Sequence, residues 1–278
     1  MIETINPICE SRVLSHGQVT ERAVVLIHGF TNCPQQWVAF AERVFARGNN
    51  VLIPRLPRHG LADRLSESPG RLTSAELLHA TEAALFHAAT LGRRVTVAGL
   101  SLGAVLTSHA AMTSERVDRA VLIAPLFAAP GMPIPVSDLL GFLAEKVLPN
   151  RFIWWDGKAR AELPGPPQAY PRFATRGYGA MLQVGSDVRR ASARRAPLAR
   201  DLRVIVNAAD PAVNNAATAR LAATWRRHGA TVREYEFARE LGLLHDLIDA
   251  AQVKQRTDLV YPVLEDWICS EQPLGLLS

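Results

Sequence analysis

Long apolar runs are missing from this 278-residue chain, and no stretch of about 18 or more apolar residues occurs. The sequence therefore excludes a membrane-spanning helix. Hydrophobic residues make up 48% of the chain and charged residues 21%, which excludes a disordered or collagen-like protein. A soluble globular protein with a large core is the class that remains.

Lysine is also scarce, since only three of the 31 basic residues are lysine and the rest are arginine. The formal net charge is +5 and the pI is about 9.5, and a basic chain can bind an anionic partner such as nucleic acid. The arginines are scattered among acidic residues, except over residues 189–203, where a solvated helix face is the usual cause. We therefore expect no nucleic-acid partner.

The three cysteines, Cys9, Cys33 and Cys269, are few and odd in number, so the sequence predicts no disulfide framework. Glu3 and Glu10 lie in an N-terminal segment that lacks the apolar core of a signal peptide. We therefore expect a cytoplasmic protein. The sequence gives no indication of an oligomeric state.

Short apolar segments alternate with helical patterns along most of the chain. The predicted strands span residues 24–27, 51–53, 95–97, 120–123, 204–206 and 232–237. The predicted helices span residues 35–47, 72–91, 102–112, 215–228 and 247–268, with a break or kink at Pro262. Thr73 and Glu76 have the spacing of a capping box at the start of the second helix. This alternation predicts an α/β fold with a doubly wound, mostly parallel sheet.

Residues 128–199 interrupt the alternation with nine prolines and no clear strand. A structureless loop of that length is uncommon in a compact domain. We therefore interpret this segment as a helical cap inserted into the fold. On this interpretation, residues 1–127 and 200–278 form the core domain, and residues 128–199 form the cap.

Gly99-Leu100-Ser101-Leu102-Gly103 follows a predicted strand and opens a predicted helix. This is the G-x-S-x-G pattern in the strand–turn–helix context that it requires. The glycines permit a sharp turn that presents the Ser101 hydroxyl at the carboxyl end of the sheet, beside a helix N-terminus. The sequence therefore predicts Ser101 as a nucleophile. An ordinary turn between a strand and a helix is the alternative.

A serine nucleophile needs a histidine base and an acid that orients it, in the chain order Ser, Asp or Glu, His. His245 follows a predicted strand and so lies at the carboxyl edge of the sheet, whereas His228 precedes that strand and lies at the opposite edge. Asp210 follows the strand at residues 204–206. We therefore predict His245 as the base and Asp210 as the acid. A solvated loop histidine and a turn or capping aspartate are the alternatives.

The backbone N–H groups of Phe30 and Leu102 are the predicted oxyanion donors. Leu102 directly follows the nucleophile, and Phe30 lies in the loop after the first central strand. His28, in the same loop, is expected to hold the loop in shape rather than to catalyse. Asp246 competes weakly for the role of the acid, because chain neighbours rarely present their side chains to each other.

With these residues in place, the chain resembles the α/β-hydrolase superfamily, and more narrowly its bacterial carboxylesterases and monoacylglycerol lipases. The HGFTG-like loop of that branch corresponds to His28-Gly29-Phe30-Thr31, and its PRLPGHG-like segment corresponds to residues 54–60. Asn32, Arg58 and Leu244 depart from the pattern. The resemblance implies hydrolysis of carboxylic esters through an acyl-enzyme on the nucleophile.

The apolar residues of the predicted cap and of the loop after the first central strand have two interpretations. Phe30, Trp154, Trp155 and the apolar residues 139–148 either line a pocket for a short- to medium-chain apolar acyl group or form the core of the cap. Selection of an acidic leaving group by Arg55 or Arg58 is an alternative.

Other reactions on the same three residues also remain open. They include cleavage of amides or peptides, of thioesters and of carbon–carbon bonds, and a non-catalytic ligand-binding scaffold is a further alternative. No P-loop, G-x-G-x-x-G motif or metal-ligand spacing occurs, so we expect neither a cofactor nor a metal.

Overall fold

The computed structural model describes residues 3–158, 160–163 and 165–273. These residues form nine strands: β1 (Arg12–Leu14), β2 (Thr20–Ile27), β3 (Asn50–Ile53), β4 (Gly92–Leu100), β5 (Val117–Ile123), β6 (Phe152–Trp154), β7 (Arg172–Ala174), β8 (Asp201–Asn207) and β9 (Val232–Phe237). Seven of them make one sheet in the order β1-β3-β2-β4-β5-β8-β9. β1 is antiparallel to β3 and the other neighbours are parallel. The predicted mostly parallel α/β sheet is confirmed.

Seven α-helices accompany these strands in the described part of the chain: α1 (Val38–Ala46), α2 (Ser74–Leu91), α3 (Leu102–Thr113), α4 (Ile134–Lys146), α5 (Thr175–Ser192), α6 (Asn215–Arg227) and α7 (Thr257–Cys269). α2 begins with the predicted capping box, in which Thr73 and Glu76 each bond the other's backbone N–H. A 3₁₀ turn (Pro34–Trp37) replaces the start of the predicted first helix.

The last helix differs most from its prediction. α7 begins at Thr257 rather than at residue 247, and it continues through Pro262, so of the predicted break or kink at that residue the break does not occur. Leu247 and Ile248 are fully buried in an irregular segment before the helix. Their burial extends the apolar pattern beyond the helix and explains the early predicted start.

Two apolar clusters cover the two faces of the sheet. α2, α3, α5 and α6 supply the first cluster, and α1 and α7 supply the second. Along β2, Val25 and Ile27 belong to the first cluster, while Val24 and Leu26 belong to the second. Burial on both faces explains why the central strands have continuous apolar sequences.

The segment at residues 128–199 contains α4 and α5, together with the short antiparallel pair of β6 and β7. The two strands were not expected from the sequence. α5 is no separate layer, because its Met181 and Val184 are fully buried in the main core. α4 and α5 approach closely, since a Cβ on Gly179 would lie 2.7 Å from the carbonyl oxygen of Gly141.

Two observations concern the predicted domain bounds and the excluded membrane-spanning helix. Residues 1–2 and 274–278 of the predicted core domain lie outside the described residues. Over the three described ranges, no helix has the length and apolar character needed to cross a bilayer.

The arginine-rich stretch at residues 189–203 is only partly the solvated helix face that its composition predicts. Arg194 and Arg195 are exposed. Arg203 is fully buried in β8, where it pairs with Asp201 and donates to main-chain carbonyl groups. Arg189 pairs with Asp138 of α4. These two arginines hold the fold together rather than forming a surface patch.

The cysteine prediction is wrong in one respect, because Cys9 and Cys33 form a disulfide with a Cα–Cα distance of 5.3 Å. Both residues are fully buried, whereas Cys269 is free. The bond ties an N-terminal 3₁₀ turn (Pro7–Cys9) to the start of the turn before α1. Disulfides persist mainly in oxidising compartments, so this pair does not support the cytoplasmic expectation.

Loss of the disulfide is expected to destabilise the fold. Closure of a loop of 24 residues predicts that the Cys9→Ala/Cys33→Ala variant loses about 3 kcal/mol of unfolding free energy. Urea denaturation with and without reductant measures this loss. Cys269→Ala is the matched control and should remain as sensitive to reductant as the wild type. A wild-type midpoint that reductant leaves unchanged would contradict the pairing.

Candidate active site

Ser101 lies at the turn between β4 and α3, with φ 56° and ψ −110°. A non-glycine residue with positive φ is strained, and such strain is concentrated at functional sites. The Ser101 N–H donates to the Ile123 carbonyl of β5 at 2.9 Å, and its own carbonyl accepts the Val105 N–H of α3. These bonds hold the turn in place at the carboxyl end of the sheet.

The two glycines of the pentapeptide are required by close backbone approach. A Cβ on Gly99 would lie 2.2 Å from the carbonyl carbon of Gly103, and a Cβ on Gly103 would lie 2.1 Å from the carbonyl oxygen of Ile27. Neither position has room for a side chain. The helix that follows Ser101 therefore packs directly against β2 and β4.

Asp210 and His245 meet at the same edge, as the chain-order argument expects. Asp210 follows β8, and its Oδ2 lies 2.7 Å from His245 Nδ1. The Asp210 carboxylate is buried, whereas His245 is partly exposed. The Asp246 side chain instead bonds Gln36 and main-chain N–H groups. His228 lies at the C-terminal end of α6, as expected.

Ser101 and His245 line one cavity of about 610 Å³. Its volume is in the usual range for a small-molecule site. Among the described residues, no hydrogen bond joins Ser101 Oγ to a protein group. Such contacts are often long in unliganded enzymes and shorten when substrate binds.

Residues 28–32 follow β2 and are called the 28–32 loop, and residues 29–32 lie in the wall of this cavity. Phe30 lies in the wall, and its N–H has no protein acceptor within the described part of the chain. Leu102 opens α3, so its N–H is one of the four that have no acceptor within a helix. Both predicted donors are therefore free to bond a ligand.

His28 supports this loop. Its ring is fully buried, and Nε2 accepts the Leu56 N–H at 3.1 Å, which leaves Nδ1–H to donate to the Gly29 carbonyl at 2.9 Å. Burial, followed by the charge of His59, holds the pKa of His28 well below its usual value. Burial also lowers the pKa of His59 to about 4. Both rings are therefore neutral near pH 7.

Aromatic residues from the inserted segment complete the cavity. Trp155, Phe173 and Tyr178 lie in its wall with Phe30, and the Trp155 and Phe173 ring centroids are 4.5 Å apart. Trp154 does not line the cavity. It precedes Trp155 in an extended segment, so its side chain points to the opposite side, where the Arg160 guanidinium lies over its ring. Of the two predicted pocket residues, Trp155 therefore lies in the cavity wall and Trp154 does not.

The other predicted pocket residues also lie elsewhere. In α4, Leu139, Leu140 and Phe142 are exposed rather than directed into the cavity. Arg55 bonds the His59 carbonyl, and Arg58 pairs with Glu76. Neither arginine lines the cavity, so the structure gives no support to selection of an acidic group by these side chains.

Thr31, the residue after Phe30, is hydrogen-bonded to two residues of the inserted segment. Thr31 has φ 64°, which is strained for a β-branched residue. Its carbonyl accepts the Tyr170 N–H at 2.8 Å, and its hydroxyl accepts the Trp155 indole N–H at 3.0 Å. Sequence reasoning missed this contact, since both donors lie more than a hundred residues away along the chain.

Comparison with known proteins identifies the family. The model of the Alpha/beta hydrolase family matches residues 24–251, which is more than half of the chain. The chain belongs to the alpha/beta hydrolase family. No curated protein matches it significantly.

Solved structures share the hydrolase fold at low sequence identity. A structure from work on LipS and LipT, two metagenome-derived lipolytic enzymes, has a TM-score of 0.69 at 20% identity and covers 95% of this chain and 99% of its own. The monoacylglycerol lipase of Paleococcus ferrophilus has a TM-score of 0.67 at 15% identity, with coverages of 93% and 98%. A soluble variant of monoglyceride lipase from Saccharomyces cerevisiae, in complex with a substrate analog, has 0.67 at 15%, with 93% and 90%.

Two acidic residues of this hydrolase, Asp246 in the cavity wall and Asp249, follow His245 within four residues of the chain. Asp249 is 2% exposed and accepts from the side-chain amides of Asn32 and Gln168. Burial, followed by the charge of Asp246, raises the pKa of Asp249 to about 6. Sequence reasoning missed the pair, although Asn32 stands where the related loops carry a glycine.

Asp249 is expected to make stability depend on pH. The pKa of Asp249 in the folded hydrolase is higher than its ordinary value. Its contribution to the free energy of unfolding is therefore favourable at low pH and is lost as pH rises through about 6. The melting temperature of Asp249→Asn minus that of wild type should therefore be higher at pH 8 than at pH 4.5.

Asp258→Asn is the matched control for this measurement. Its exposed carboxylate has a pKa lowered by Arg256, so any pH effect of that variant should have the opposite sign and be small. Equal shifts of Asp249→Asn at both pH values would show that Asp249 ionises normally.

Proposed function

We propose that this hydrolase cleaves carboxylic esters through a catalytic triad of Ser101, His245 and Asp210. The observation that carries the proposal is the 2.7 Å contact between His245 Nδ1 and Asp210 Oδ2, in the cavity where the strained Ser101 also lies. The family and the lipolytic neighbours support hydrolysis in general.

The proposed cycle uses each of these groups in turn. His245 Nε2 takes the Ser101 proton while Nδ1–H donates to Asp210, which stabilises the imidazolium. Ser101 Oγ attacks the acyl carbonyl, and the N–H groups of Phe30 and Leu102 bond the resulting oxyanion. The alcohol leaves with the proton from His245. Water, deprotonated by the same base, then cleaves the acyl-enzyme.

The cavity favours a short- to medium-chain apolar acyl group. Phe30, Phe173, Tyr178 and Met181 supply apolar side chains to its wall, and the volume of about 610 Å³ is the space that an acyl group can occupy there. We interpret residues 128–199 as a cap, since Trp155, Phe173 and Tyr178 close the cavity from that segment. A small-molecule ester is thus the expected partner.

The triad and the ester bond are tested together with p-nitrophenyl esters from acetyl to palmitoyl. We expect kcat/KM to peak at a short or medium chain, and Ser101→Ala to lose at least about a thousandfold in kcat, because triad members act as a unit. Ser108→Ala is the matched control, since Ser108 is a buried serine of α3 whose hydroxyl donates to the Val105 carbonyl of the same helix. It should keep wild-type activity.

Other outcomes discriminate among the alternatives. Hydrolysis that survives in Ser101→Ala would overturn the triad. Failure of the wild type on every ester would overturn ester hydrolysis, and amide, thioester and carbon–carbon substrates would then be assayed. A chain inactive on all of these would fit a ligand-binding scaffold.

A further inference from the structure

A buried side chain joins the two loops that carry the proposed catalytic groups. Gln36 is 3% exposed and accepts the Gly29 N–H on its Oε1 at 2.8 Å. Its Nε2 donates to Asp246 Oδ2, also at 2.8 Å. Gly29 directly precedes Phe30, and Asp246 directly follows His245. One amide therefore spans from the 28–32 loop to the loop at residues 243–249.

A second amide makes a parallel connection. Asn32 Nδ2 lies 3.3 Å from Asp249 Oδ2 and 3.4 Å from Asp246 Oδ2. Its Oδ1 accepts the Cys33 N–H at 2.9 Å, which fixes the orientation of the amide. From the inserted segment, Gln168 Nε2 donates to the same Asp249 oxygen at 2.8 Å. Three separate segments of the chain thus meet at two carboxyl groups.

The donors to these carboxyl groups are neutral amides and main-chain N–H groups. Asp246 Oδ1 accepts the N–H groups of Ile248 and Asp249, and Asp249 Oδ1 accepts that of Ala251. No lysine or arginine bonds either carboxyl group in the described part of the chain. The amide donors are therefore what offsets the desolvation of the pair, and a change of charge within the cluster should disturb its geometry.

The other titratable groups around the cluster are Tyr261 and His245. Tyr261 stays neutral in the assay range, because burial, followed by Asp249 and Asp246, raises its pKa to about 12. Arg43 acts on Tyr261 in the opposite direction. His245 is engaged by Asp210. A new carboxyl group at position 36 would therefore have the Asp246 carboxyl group as its nearest titratable neighbour.

We propose that Gln36 is a positioning residue, which with Asn32 and Asp246 fixes the oxyanion donor Phe30 relative to the base His245. The inference rests on the proposed function. Gln36 borders the cavity, but both atoms of its amide are engaged, and it acts through the Gly29 N–H and the Asp246 carboxylate. Because the oxyanion contact forms fully only in the transition state, its misplacement lowers kcat and leaves KM nearly unchanged.

The test compares Gln36→Glu with wild type by kcat and KM between pH 5.5 and 8, on the best p-nitrophenyl ester. A protonated glutamic acid can accept from Gly29 and donate to Asp246 as glutamine does, whereas an ionised one repels Asp246. We expect kcat of the variant to be about ten- to a hundredfold below wild type at pH 8, with KM within about twofold. The ratio of the variant kcat to the wild-type kcat should rise at least about fivefold between pH 8 and pH 5.5.

Two further variants keep the result interpretable. Gln36→Met has no hydrogen-bonding group, so its kcat ratio to wild type should be low and independent of pH. Gln35→Glu is the matched control, because Gln35 bonds Arg12 outside the cluster. It should retain wild-type kcat at every pH. Melting temperatures at each pH establish that all variants are folded under assay conditions.

Each outcome is decisive. Recovery of the kcat ratio at low pH in Gln36→Glu alone supports the positioning role. A Gln36→Glu variant with wild-type kcat, or a deficit that pH does not change, overturns it while leaving ester hydrolysis intact. If Gln36→Glu does not fold, Asn32→Gly is assayed, and unchanged kcat in that variant overturns the inference. A wild type without esterase activity overturns the proposed function itself.

Discussion

The contact of α3 with the sheet is so close that it leaves no space for a β-carbon at two positions. Gly103 lies against the main chain of Ile27, and Gly99 lies against Gly103. This contact forces Ser101 into its positive-φ turn and fixes the end of β2 beside the first turn of α3. The 28–32 loop starts at that same point. The relative position of Ser101 and the N–H groups of Phe30 and Leu102 thus follows from backbone packing, which side-chain motion cannot alter.

Neutral hydrogen bonds, rather than ion pairs, hold the loops around this turn. His28 bonds the main chain on both sides of its ring and remains uncharged because it is buried. Gln36 and Asn32 each bond a main-chain N–H of the loop with the amide oxygen, and their amide nitrogens donate to Asp246 and Asp249. The buried ion pairs of Arg119 and Arg203 lie instead at the amino-terminal ends of β5 and β8.

The sequence was sufficient for the central sheet and for the three residues of the proposed triad. Five strands, β2, β3, β4, β5 and β8, are largely buried and therefore have apolar sequences, and the order of Ser101, Asp210 and His245 places them at one edge of a parallel sheet. That Asp210 and His245 lie within 2.7 Å agrees with this argument, although their catalytic role stays a prediction.

What the sequence could not supply depends on contacts between distant segments. β6 and β7 have three residues each, and their pairing decides which of Trp154 and Trp155 faces the cavity. The Cys9–Cys33 bond depends on how the N-terminal segment folds back, which three cysteines do not indicate. The exposed apolar side chains of α4 follow from the close packing of α4 on α5, which no pattern within either helix reveals.

The charge of the cavity differs from the charge of the chain. The net charge is +5, yet the described residues that line the cavity include Asp156 and Asp246 and no lysine or arginine. The proposed reaction, ester hydrolysis, converts a neutral molecule into a carboxylate. In such surroundings the acid formed would be repelled while the neutral ester would not, so the electrostatics of the wall favour product release and oppose inhibition by the acid product.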